Sequence, residues 1–181
     1  MVQDDLKSMF YTYADINPLD LPIKEFADSL LMMAESYIYE TYNYSIFLRQ
    51  ETEILHGNGS DFIYLSKAPI FECVSVLESG VVMPSVSIAS GNKLFFRDYY
   101  TAIGEYNIEV IYDLGYEHIE NVPTSLLNAV MSIAKKMLQD NQKNLDNINS
   151  ISSDTRQSIR PKDSLPHLVE TLLEPFRVYT L

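Results

Sequence analysis

Two kinds of periodicity divide the chain, and their order limits the fold more than any single residue does. Up to about residue 44 apolar side chains recur every three or four positions, the spacing of one helical face. From about Ile46 to Tyr112 the pattern changes to short runs of β-branched and aromatic residues separated by Gly, Asn, Asp and Pro, as in antiparallel strands. Helical spacing returns at Leu126. The implied fold is α+β: a helical core made of a long N-terminal helix, a central helix and a short C-terminal helix, with an inserted small antiparallel β-sheet or partial barrel. At 181 residues the chain is long enough for one such subunit with a real core.

Local signals place the elements. Asp4 or Asp5 can cap a first helix in which Leu6, Met9, Phe10 and Tyr13 share a face, until Asn17-Pro18 interrupts it. A second helix starts with Asp20 as cap and Pro22 in its first turn, where a missing N–H costs nothing. Phe26, Leu30, Met33, Ala34, Tyr37 and Ile38 form its apolar stripe, with Lys24, Asp28 and Glu35 on the solvated side. Gly57-Asn58-Gly59-Ser60 separates Thr52–His56 from Phe62–Leu65 and predicts a hairpin. Further strands are expected over Ile70–Leu77, Ser85–Ala89, Lys93–Phe96 and Tyr106–Tyr112, five or six in all. After Val122-Pro123, the positions Leu126, Leu127, Val130, Met131, Ile133, Ala134, Met137 and Leu138 cover a broad arc, so this helix should be the most buried one, with Lys135 and Lys136 near its C-terminal pole. The division expected is 1–44 N-terminal helices, 45–115 β module, 116–140 core helix, 141–164 a polar arm or loop, and 165–181 a C-terminal helix and tail that buries Leu168, Leu172 and Leu173.

Composition excludes several functions. The 13 basic and 25 acidic residues leave a net charge of −12, which argues against a protein that coats duplex nucleic acid through its phosphates. The excess is uneven: residues 1–115 hold 17 acidic and 6 basic side chains, residues 116–181 hold 8 and 7. A single cysteine, Cys73, rules out internal disulfides and cysteine-built zinc sites, and its apolar run suggests a buried structural thiol. The start Met-Val-Gln-Asp-Asp lacks the marks of a signal peptide, and no run of about 20 apolar residues could span a bilayer. The expectation is a non-membrane protein made in the cytoplasm.

No catalytic constellation stands out. His56, His118 and His167 are far apart, with no HxxxH or HxH pair, and read as hydrogen-bonded surface histidines. The glycine turn at 57–60 has no lysine and no helix behind it, so it is not a phosphate loop. Glu51, Glu53, Asp61, Glu72 and Glu78 alternate along or flank strands as solvent-facing carboxylates do, and nothing selects a glycosidase pair from them. No cofactor or metal is expected. Thirteen tyrosines without a tryptophan are a further feature, and Tyr37, Tyr39, Tyr42, Tyr44, Tyr99, Tyr100 and Tyr106 gather near the helix-to-sheet junction and the later strands. Both core-edge packing and interface use suit them.

Segment order carries a resemblance. Glu51–Ser60, Phe62–Leu65, Ala68-Pro69-Ile70 and Val74-Ser-Val76, followed by Ile108–Tyr112, Leu114-Gly115-Tyr116, Val122-Pro123 and the helix Leu126–Leu138, resemble in sequence the head-to-tail connector, or adaptor, family of tailed phages. The likeness spans roughly residues 4–177 through short structural motifs, and the stretch Ser150–Pro161 departs from it in lacking glycines. It implies a virion protein without catalytic activity that forms a ring of self copies, commonly twelve, beneath the portal protein and carries the next neck or tail protein. It also implies that the segment after Leu165 reaches the portal, with Phe176, Arg177 and Tyr179 as anchors.

Electrostatics fits that expectation. An acidic ring would let DNA pass in transit without adhering to it, while Arg156, Arg160, Lys162 and Arg177 suit an acidic neighbour and the chain closes on apolar Leu181. Two other readings stay open from the residues alone. One is a carbohydrate- or cell-surface-binding β module, should the tyrosines line a groove; the other is a small hydrolase using Asp or Glu with a histidine.

Overall fold

The structure, a computed structural model, describes residues 2–83, 85–148 and 167–178, with residues 142–148 as backbone alone. The chain is α+β and divides into two compact units. One comprises residues 3–38 and 122–175, the other residues 1–2, 39–121 and 176–181.

The first unit holds α1 (Val2–Ala14), most of α2 (Leu21–Tyr42), α3 (Thr124–Ile148) and α4 (His167–Leu173). Asp20 caps α2 as expected: its carbonyl accepts from Lys24 N–H at 2.9 Å and its side chain faces Ile23 N–H at 3.5 Å. In α1, Leu6 and Phe10 are buried one turn apart while Met9 and Tyr13 stay exposed. All eight predicted core positions of α3 are buried. Lys135 donates from Nζ to the carbonyl of Tyr13 at 2.9 Å and lies over the Tyr13 ring, tying α3 to α1.

Several expectations for this unit are corrected. Helix α2 turns inward on Ala27, Leu30, Leu31, Ala34 and Ile38, whose small alanines allow close approach, so Phe26 and Met33 are exposed and Glu35 is buried rather than solvated. Helix α3 continues to Ile148, because Asn141 to Ile148 contain neither Pro nor Gly to stop it. Lys135 and Lys136 are therefore in mid-helix, and the start of the expected arm is helical. The remainder of that arm, residues 149–164, lies outside the described residues. In α4, Val169 and Leu173 are buried while Leu168 is exposed, since one side of a seven-residue helix is all that packs.

Among the described residues the second unit holds seven strands in two sheets: β1 (Arg49–Gly57), β7 (Gly104–Leu114), β3 (Ile70–Glu78) and β4 (Val81–Val82) in that spatial order, then β2 (Phe62–Tyr64), β6 (Lys93–Phe96) and β5 (Val86–Ser90). Every pairing between these strands is antiparallel. Alternation along β7 sends Ile108, Val110, Tyr112 and Leu114 into a core shared with Ile63, Leu65, Val76, Leu94 and Phe96. The β5–β6 hairpin around Gly91-Asn92 is as expected.

The predicted hairpin at Gly57–Ser60 is not formed. Strand β1 pairs with β7 and β2 with β6, so this turn carries the chain from one sheet to the other. Neighbours in sequence were expected to pair, but β7 offers β1 the longer complementary edge. The expected antiparallel β module is thus built as two small sheets, and β4 is a short edge strand with no sequence signal. Glycine is required at 115, where φ is +102° and a Cβ would lie 2.2 Å from the carbonyl oxygen of Phe47. Cys73 is half-buried rather than buried; burial, then Glu72, raises its thiol pKa, which disfavours nucleophilic use.

Val130 is fully buried on α3. Val130→Asp should cost on the order of 4 kcal/mol or more and abolish cooperative unfolding followed by circular dichroism. A normally melting variant would contradict this core assignment.

Candidate functional site

The expected contact residues divide into two groups. Arg156, Arg160, Lys162, Tyr179 and Leu181 lie outside the described residues, whereas Phe176 and Arg177 are placed on the second unit. After a single 3-10 turn over Glu174–Phe176, Val178 donates its N–H to the carbonyl of Tyr42 at 3.0 Å and accepts from Asn43 Nδ2 at 3.4 Å. Phe176 meets the Tyr44 ring edge-on at 5.1 Å, and the Arg177 guanidinium lies 4.8 Å above the Tyr42 ring. Tyr44 and Tyr116 share a hydroxyl–hydroxyl hydrogen bond of 2.7 Å, and burial raises the pKa of both phenols, so the pair stays neutral at physiological pH. The tail end is thus seated on Tyr42 and Tyr44, with Tyr116 bracing Tyr44. Tyr42 and Tyr44 were visible as part of the tyrosine cluster, and Tyr116 only as the end of the Leu114-Gly115-Tyr116 step.

Several carboxylates expected to face solvent are engaged within this unit. Tyr39 Oη donates to Glu51 and accepts from Lys67 Nζ, and Arg49 stacks 4.1 Å above the Tyr39 ring. Burial alone would raise the pKa of Glu51; the Tyr39 hydrogen bond and the Lys67 charge reverse this and lower it. Glu53 accepts from Ser66 N–H at 3.0 Å and from Tyr112 Oη at 3.0 Å. Glu78 is buried, accepting from Tyr99 Oη and, at 2.6 Å, from Ala102 N–H. These are structural acceptors with defined donors, not an acid–base pair flanking a cleft.

Glu78 also organises the loop between β6 and β7. Asn107 accepts from Gly57 N–H at 2.7 Å and donates to Ala102 O at 3.1 Å, while Thr101 N–H donates to Ser60 O at 2.9 Å. The loop is fixed from inside and projects Tyr100 and Ile103 outward, with Ile103 85% exposed, and Tyr106 is exposed beside it at the start of β7. Sequence reading included Tyr100 and Tyr106 among clustered tyrosines but missed Ile103, whose apolar side chain in a polar loop was the available clue.

The three histidines have separate local contacts: His56 stacks on Tyr106, His118 is 3.5 Å from Glu117, and His167 faces Thr171. Among the described residues no group of three or more His, Cys, Asp or Glu side chains could hold a metal. In the helical unit an open groove of about 610 Å³ is lined by Asp4, Lys7, Tyr11, Asp15, Lys24 and Asp28. Lys7 lies 3.5 Å from Asp28, which also accepts from Tyr11, so these polar groups satisfy one another. The tyrosines of the second unit do not line it.

No protein-family model and no curated protein matches the chain. Structural comparison is more informative. A chain in the neck of a native gene transfer agent (GTA) particle, computed with C12 symmetry, superposes with a TM-score of 0.57 at 15% identity, covering 89% of this chain and 90% of that one. This chain has that fold. A chain in the neck of an empty GTA particle, computed with C6 symmetry, gives 0.56 at 15% identity over 87% and 80% of the two chains. A chain in the virion of the native particle gives 0.56 at 13% identity over 87% and 79%.

Glu78→Ala removes an acceptor shared by Tyr99 and Ala102. It should lower stability by about 1–3 kcal/mol in urea unfolding and speed amide exchange at Ala102. Unchanged exchange there would show that the loop is held by other contacts.

Proposed function

We propose that this protein is a structural subunit of the neck of a tailed phage or phage-like virion, acting through interfaces rather than catalysis. Copies form a ring, with twelve the expected number, that binds the portal on one side and the next neck or tail protein on the other. The observation that carries this reading is the match of fold over nearly the whole of both chains to a neck component of a C12-symmetric particle. At this identity the likeness is one of fold, so the assignment also rests on the physical features of the chain. Its exposed groups are interface-like: a fixed loop presenting Tyr100 and Ile103, Tyr106 at the start of β7, and a terminus seated on tyrosines. Its charge of −12 suits a lumen through which DNA moves, because like charge prevents adhesion.

Portal contact falls on the C-terminal segment in this proposal, through Arg156, Arg160, Lys162, Phe176, Arg177, Tyr179 and Leu181. Phe176 and Arg177 are half-buried against Tyr44 and Tyr42, which gives the terminus a defined starting position on the second unit. Cationic and aromatic side chains close together are the combination enriched at protein contacts.

Deleting Phe176–Leu181 removes none of the residues of the shared sheet core. The truncated chain should keep the wild-type circular dichroism spectrum and fail to co-sediment with purified portal rings. Unchanged co-sedimentation would count against this role for the terminus.

A further inference from the structure

Helix α2 is apolar over a wider arc than its own unit covers. Its inward face is Ala27, Leu30, Leu31, Ala34 and Ile38. Beside that face runs a second row, Ile23, Phe26, Leu30, Met33 and Tyr37, separated by three, four, three and four residues. This is the a/d spacing of a helix that packs along another helix, a period of 3.5. Leu19, in the turn before α2, extends the same spacing by four residues. Within the row Leu30 is buried, whereas Ile23, Phe26 and Met33 are 46, 41 and 47% exposed. Isolated exposed apolar residues need no explanation, but three exposed ones, Ile23, Phe26 and Met33, aligned at helix-packing period do.

We infer that this row is the seam on which a helix of a second copy of the chain packs, an inference that rests on the ring reading above. The ring reading selects the occupant, because a ring needs a contact between copies. Two copies at −12 each repel one another, so an uncharged seam is where that contact costs least. One border of the row is formed by Pro22, Ser29 and Ser36, small and uncharged at seven-residue spacing, which lets another helix approach with no ion to desolvate. A head-to-tail ring also requires two different patches on one chain. Leu168, exposed on α4, with half-buried Leu172 one turn later, provides a second apolar helical patch.

The test uses the full chain assembled on portal rings, with p-benzoylphenylalanine placed at position 26, at position 33, or as a control at exposed position 25, followed by irradiation and mass analysis. Expected are two-copy adducts from 26 and 33 and none from 25. The double variant Phe26→Glu, Met33→Glu changes exposed positions only, so it should keep its helical circular dichroism signal while losing the ring. Adducts with portal or another virion protein in place of a second copy would overturn the seam, as would a ring that persists in the double variant. Should wild-type copies form the ring while positions 26 and 33 yield no two-copy adduct, the seam is wrong and the neck reading stands. Should wild-type copies never associate, both fall.

Discussion

Strand β7 is the element on which the sheet unit depends. It pairs along one edge with β1 and along the other with β3, bringing together residues 47 to 65 positions apart on one side and 30 to 44 on the other. Because a strand's side chains alternate, fixing its register also fixes which face of each neighbour turns inward. Ile108, Val110, Tyr112 and Leu114 then meet the second sheet, while Tyr112 carries its hydroxyl to Glu53 and burial keeps that phenol protonated. The end of β7 is held just as closely: Gly115 follows at a left-handed φ, with its α-carbon against the Phe47 carbonyl, and Tyr116 receives Tyr44 and, through it, Phe176. One long strand therefore sets the core, the polar network and the seat of the chain's terminus.

Much of this was legible in the sequence because it is local. Helix α3 announced itself through eight apolar positions at helical spacing, all of them buried, and Asp20 with Pro22 marked the start of α2. The α+β class followed from the order of the two periodicities. What failed was non-local. A Gly-Asn-Gly turn says that the chain reverses, not which strand the next segment will join, so the expected hairpin proved to be a crossing between sheets. Carboxylates on strands look solvated until the donors opposite them are known, and those of Glu53 and Glu78 come from residues 13 to 59 positions away. For α2 the predicted stripe combined two rows. Leu30, Ala34 and Ile38 pack inward, whereas Phe26 and Met33 remain outside, and composition alone cannot apportion apolar residues between a subunit's own core and a neighbour's surface.

The same division between internal and external use runs through the charged and aromatic residues. Glu51, Glu53 and Glu78 serve as acceptors inside the sheet unit, and Tyr39, Tyr99 and Tyr112 are their donors. Tyr100, Ile103 and Tyr106 are held outward by that internal framework. The polar groups of that framework are satisfied within the sheet unit, while these apolar side chains are left on its surface. In the proposed ring, the acidic excess concentrated in residues 1–115 would line a channel that DNA crosses without adhering.

The central claim is that copies of this chain form a ring at the portal vertex of a virion. Cryo-electron microscopy of the intact neck measures this most directly. The account predicts density for this fold repeated around the portal axis, twelve times, with the channel running through its centre. A reconstruction in which the fold is absent from the neck, or is present as a single copy away from the axis, would contradict it.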